Sequence, residues 1–229
     1  MKRSDLLFVC FFILIFLPFF VSTDIYNAYN SFNKEHGMVM SFIKFAILAT
    51  LGEVIGLRIK AGQYSAPGFG ILPRAVVWGF LGLTIKLAFV IFTSGTLSFL
   101  TYMGLDNATA VFSEGFSAEK LFIAFCISVF MNTIYAPVMM TFHKITDTHI
   151  INTGGTLKGL FSPIDFSGIF KNLNWDVQWN FVFKKTIPFF WYPAHTITFL
   201  LPVDFQVLFA AILGIALGTI LAIASIKGK

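Results

Sequence analysis

The sequence predicts an all-α integral membrane protein, a bundle of about six transmembrane helices with both termini on the cytoplasmic side. Three observations predict it. Hydrophobic residues make up 57% of the 229 and charged residues only 12%, against roughly 25% charged in soluble domains. Mean hydropathy is +0.81, too high for a water-soluble surface to enclose the core. The apolar residues fall in unbroken runs near the ~20 residues that span a bilayer core, not in the alternating ten-residue segments of a membrane β-barrel.

The first run is 6–21 (LLFVCFFILIFLPFFV), and the next three lie at about 38–57, 75–100 and 121–142. The fifth, about 181–201, contains Pro188 and Pro193, and the sixth, about 205–226, is the cleanest. A signal peptide is the rival reading of the first run, because Lys2 and Arg3 precede it. Val21-Ser22-Thr23 makes a poor cleavage site, and a retained anchor is expected. Cleavage would leave five helices. Residues 1–37 then form an anchor helix and outer loop, and 38–229 the membrane domain.

Basic residues set the orientation. With the N-terminus inside, 12 of the 16 Lys and Arg residues fall in cytoplasmic segments, among them Lys2, Arg58, Arg74, Lys184, Lys185 and Lys229. The outer segments hold only Lys34 and Lys120 and carry acidic residues such as Asp24, Glu114 and Asp204. The net charge of +5 is therefore read as cytoplasmic bias and not as a nucleic-acid surface. Residues 61–73, rich in Gly and Pro, predict a cytoplasmic turn. Residues 143–178 predict the longest cytoplasmic loop, with a short interfacial helix near 164–173 and Trp175 and Trp179 at the membrane boundary.

Ionisable groups inside a bilayer need a partner or a water-filled cavity. Counting 1.5 Å per residue from the cytoplasmic ends, Lys86 lies about 18 Å deep, Lys44 about 20 Å, and Asn132 and His195 about 15 Å. Convergence of these four would make a polar layer of positive bias, able to line a path for small anions. The bland alternative is that Lys44 snorkels outward and Lys86 pairs with carbonyls or Glu53. Glu53, only about 6 Å deep, is expected to tie helix ends together through Arg58 or Arg74. Pro137, Pro188, Pro193 and Pro202 free backbone carbonyls, and kinks are the simplest reading of each. Gly214 and Gly218 form a GxxxG that permits close helix contact, within the chain or between copies.

Catalytic signals are weak. His143, Asp147 and His149 have no ligand spacing that favours a metal, and no GxSxG, P-loop or HExxH occurs. Cys10 and Cys126 lie inside apolar runs, as packed thiols do. No enzyme activity, cofactor or metal is expected.

Several segments in order resemble the Mpv-seventeen and twenty-two-kilodalton peroxisomal membrane protein family. Leu51-Gly52-Glu53-Val54-Ile55 is similar to its Gly-Asp motif, with Glu in place of Asp. Arg74 with Gly79 and Gly82 resembles the Arg and Gly-rich start of the next helix. Asn132 with Tyr135-Ala136-Pro137 resembles its Asp-Gln, aromatic, Ala-Pro stretch, although Met131 stands where the Asp would be. Trp191-Tyr192-Pro193-Ala194-His195 through Pro202 resembles the C-terminal signature, and coverage runs from about 38 to 225. The resemblance implies a small multi-helix membrane protein acting as a weakly selective pore. A bacterial plasma membrane is expected, or a mitochondrial inner or peroxisomal membrane in a eukaryote. The expected function is a channel or facilitator for small anionic metabolites, and the alternative is a non-transporting scaffold for lipid or protein organisation. The expected partners are the lipid bilayer and an unidentified small solute, with homo-oligomerisation open through the GxxxG and no nucleic acid.

Overall fold

A computed structural model describes residues 3–227, with side chains to residue 223. Lys2 and Lys229, counted above in the charge bias, lie outside the described residues. The described residues form helices and contain no strand. The chain divides into two compact units, Met1–Met40 and Ser41–Lys229.

In the first unit, α1 (Arg3–Val21) is apolar around its whole circumference and buries none of its residues. Residues 22–36, expected as an outer loop, are instead mostly helix: α2 (Thr23–Glu35). Ser22 ends α1 in an extended conformation, and its hydroxyl accepts from the Ile25 amide at 3.4 Å, which starts the new helix. Asp24 in the first turn and Lys34 in the last complement the helix dipole. Phe19 and Tyr29 join α1 and α2 edge to face, with ring centroids 5.4 Å apart.

The second unit is built on α3 (Gly37–Ala61, whose first turn belongs to the first unit), α4 (Ile71–Tyr102), α6 (Ala118–Asn152) and α11 (Val203–Lys227). With α1, these make, among the described residues, five helices long and apolar enough to cross a membrane. Their outward faces carry exposed apolar side chains such as Leu87, Val90, Phe122, Ile134 and Val138, as a bilayer solvent requires. The short α5 (Ala108–Ser113) connects α4 to α6 and buries Ala108 and Val111.

Small residues bring these helices together. The Phe42 ring sits over Gly79, where an added Cβ would come within 2.5 Å of it. At Gly82 a Cβ would meet the Phe45 Cβ and the Ser41 carbonyl at 2.7 Å. The Ser41 hydroxyl donates to the Gly82 carbonyl at 2.7 Å across the same contact. On another face of α3, a Cβ at Gly52 would lie 3.0 Å from the Ile215 Cα of α11, and one at Gly218 would lie 3.4 Å from the Gly52 carbonyl. The GxxxG of α11 thus meets a second one, Gly52 and Gly56, within the same chain.

Residues 143–178 are not a loop over their first third. α6 continues to Asn152 and stops at Gly154 and Gly155, both with positive φ (75° and 70°), and the Gly155 amide donates back to the Ile150 carbonyl at 2.8 Å. Any side chain at Gly155 would strike the Gly68 carbonyl at 2.8 Å; the turn after α3 and the end of α6 therefore seat against each other. Three short helices follow: α7 (Leu157–Leu160), α8 (Phe166–Lys171), within the expected interfacial helix, and α9 (Trp175–Val177). Thr156, Asp165 and Asn174 cap them, each side chain accepting an amide hydrogen bond.

The fifth predicted span keeps a continuous helical course. Gln178–Trp191 winds as a π-helix and passes directly into α10 (Tyr192–Leu200). Pro188 lies inside the wider stretch, where the Thr186 hydroxyl donates to Phe181 five residues back at 3.3 Å. Pro193 falls in the first turn of α10, where the π-helical winding gives way to α and one amide hydrogen is missing from the continuous course. Only Pro202 breaks the chain, between α10 and α11, with Leu201 extended before it. Pro137 remains inside α6. α6 packs against α4 and α10.

The glycine contacts are testable. Gly52→Val forces a branched side chain against the α11 backbone and should cost about 1–3 kcal/mol, read as a lower melting temperature in detergent. Gly214→Ala, whose added Cβ meets nothing within 4 Å, should not lower the melting temperature and gains helix propensity.

Candidate functional site

A cavity of about 570 Å³ lies among α3, α4, α6, the π-helical stretch, α10 and α11. Its walls are mostly apolar, with Phe45, Met131, Met139 and Leu217 among them. The polar lining falls in two groups, separated by the eleven residues from Asn132 to His143 on α6, about 16 Å of helix.

The first group closes the end where α3 stops and α4 begins. Arg74 is 6% exposed. One guanidinium nitrogen pairs with Glu53 of α3 and the other with Asp147 of α6. Its Nε donates to the Phe69 carbonyl at 2.6 Å, and the guanidinium lies over the Phe69 ring, 4.4 Å from its centroid. Glu53 also accepts from the Trp78 indole at 2.7 Å and from His143 Nε2 at 3.0 Å. A carboxylate without a proton only accepts, so this His143 nitrogen carries the hydrogen. The His143 ring lies 4.3 Å from that of Trp78. Lys144 reaches the second oxygen of Asp147 at 3.5 Å.

The network joins α3, α4 and α6 through hydrogen-bonded charges, the arrangement in which buried ions are tolerable. Of the two partners expected for Glu53, Arg74 takes the role, while Arg58 lies over the Tyr64 ring at 5.5 Å. His143 and Asp147 enter unforeseen. They stand four residues apart and share a helix face once α6 extends past them. His149 turns elsewhere and contacts the Gly159 carbonyl at 3.0 Å. The trio considered for a metal is thus dispersed into separate contacts.

The second group sits midway along α6 and α10. Asn132 is 1% and His195 8% exposed, and His195 Nδ1 lies 3.0 Å from Asn132 Oδ1. The Asn132 amide nitrogen donates to the Ser128 carbonyl at 2.8 Å, and the Ser128 hydroxyl donates to the Tyr192 carbonyl at 2.8 Å. The Trp191 ring lies 4.9 Å from His195. Tyr135, also in the lining, shares a hydrogen bond of 2.7 Å with Thr84.

The four residues expected to form one layer are therefore split. Asn132 and His195 meet in the cavity; Lys44 and Lys86 do not line it. Lys44 is buried, 6% exposed, within electrostatic reach of Lys86 and Asp204. The charges of the cavity wall are Lys60, Arg74 and Lys144 against Glu53 and Asp147. Gly52, Gly56, Gly214 and Gly218 also face the cavity, and none of Pro137, Pro188, Pro193 and Pro202 does. No family model, curated protein or solved structure matches this chain.

Removing Arg74 tests the network. Arg74→Met removes the cation shared by two largely buried carboxylates and should cost about 3–5 kcal/mol, seen as a large drop in melting temperature. Adding Glu53→Leu and Asp147→Leu to the same variant should recover most of that loss, because no buried carboxylate is left without its cation; Lys144, which loses Asp147, is half exposed.

Proposed function

We propose that this protein is a multi-pass membrane channel or facilitator that passes a small solute through its intrabundle cavity. The observation that carries the reading is the cavity itself: about 570 Å³ inside a bundle of apolar helices, with polar groups from α3, α4, α6, the π-helical stretch and α10 in its wall. Polar side chains within a bilayer face such cavities or one another, and here both conditions meet. Support also comes from the resemblance to the Mpv-seventeen family. Its quoted residues Glu53, Arg74, Asn132, Tyr135, Trp191 and His195 line this one cavity, and Gly52, Gly79 and Gly82 make the helix contacts around it. With the basic residues inward, the Arg74 end faces the cytoplasm of a bacterium. The wall does not include Lys44 or Lys86, so the anion preference drawn from them is not part of this reading.

Flux measurement tests it. Proteoliposomes should release a trapped small solute such as glycerol or acetate faster than protein-free vesicles. Gly214→Leu, which directs a side chain into open space, should slow that release severalfold without lowering the melting temperature. Release no faster than from empty vesicles would end the proposal.

A further inference from the structure

The hydrogen-bond directions around His195 leave one group unmet. Asn132 Nδ2 lies 2.8 Å from the Ser128 carbonyl, which only accepts, so the amide orientation is determined and Asn132 Oδ1 faces His195. His195 Nδ1 must then donate. No charged group among the described residues lies against the ring, and Trp191, Phe89 and Phe199 surround it at 4.9, 5.8 and 6.4 Å. A neutral imidazole with its hydrogen on Nδ1 carries a bare lone pair on Nε2. Among the described residues no donor reaches that nitrogen, although His195 is 8% exposed and lines the cavity. The Trp191 indole N–H, in the same wall, is buried without an acceptor. The His195 Nε2 lone pair, by contrast, is accessible from the cavity, where a donor on a bound molecule can reach it.

We propose that this end of the cavity binds the hydroxyl group of an uncharged, mainly apolar molecule, with the hydroxyl donating to His195 Nε2. The proposal rests on the reading of the cavity as a solute site and adds the solute class. A hydroxyl supplies the donor that Nε2 lacks. A carboxylate places its charge against the lone pair and has no hydrogen to give. A primary ammonium brings three donors to one acceptor and leaves the others unmet among aromatic and apolar side chains. Met131, Ile85 and Ala210 of the lining suit a hydrocarbon body.

Nitrogen-15 NMR of histidine-labelled full-length protein in lipid nanodiscs tests this directly. The spectrum without additive should contain an Nδ1-protonated histidine that disappears in His195→Gln. Adding 1-hexanol should shift its Nε2 resonance saturably. 1-Methoxypentane, with the same number of heavy atoms but no O–H, should leave it unmoved or bind about tenfold more weakly, and hexanoate should have no effect. An Nε2-protonated His195, or equal responses to the alcohol and the ether, would overturn the subsite whether or not the variants fold. A saturable hexanol shift without vesicle flux would remove the channel and keep the subsite. Flux without any hexanol response at His195 would remove the subsite alone.

Discussion

Arg74 is a permanent charge buried at one end of a bundle whose surroundings offer little water, and it holds the surrounding structure to itself. Its guanidinium is divided between Glu53 and Asp147, its Nε is taken by the Phe69 carbonyl, and its face rests on the Phe69 ring. Each contact comes from a different part of the chain: α3, α6, and the turn that leads into α4. A charge that cannot be left unpaired in a low-dielectric site forces those three parts to keep their register. Trp78 and His143 complete the carboxylate of Glu53 and follow from the same requirement.

Glycine supplies the second constraint, close approach. α3 meets α4 over Gly79 and Gly82 and meets α11 at Gly52. Without a hydrophobic force between helices in lipid, backbone proximity and packing must provide the attraction. Tight crossing at Gly52 also leaves Gly214 facing open space, so close packing and the cavity share the same crossing. The arrangement yields a mostly apolar chamber with a charged end at Arg74 and an uncharged, hydrogen-bonded end at Asn132 and His195. In the proposed role, such a chamber favours a molecule that is largely hydrocarbon over one carrying net charge, because desolvation of an ion finds no compensation beside His195.

The spans at 38–57, 75–100, 121–142 and 205–226 were legible as apolar runs, since a bilayer demands long stretches of them. Their ends were not. α6 runs ten residues beyond its apolar run because its continuation, including His143, Asp147 and His149, packs and pairs within the protein, where polarity is no sign of a loop. α2 was hidden for a related reason: its mixed Asn, Tyr and Ser composition reads as a connection, and only the Ser22 cap announces a helix. In the candidate site, Glu53, Arg74, Asn132 and His195 stood out as polar residues within or at the ends of apolar runs. Trp78 and Trp191 did not, because an aromatic residue in an apolar run gives no sign that its N–H faces a polar partner or lacks one.

Composition and run length by themselves determined that this is a helical chain suited to a membrane, because the cost of exposing a backbone amide to lipid is independent of what surrounds the helix. They also marked which polar residues would need partners. Tertiary structure alone decided which partners those were. Lys44 and Lys86 share the estimated depth of Asn132 and His195, yet depth along a helix says nothing about rotation around it, and a few tens of degrees separate a cavity wall from a packed seam. The pairing of Arg74 with two carboxylates, and the separation of those lysines from the cavity, are consequences of helix rotation and contact that no one-dimensional pattern contains.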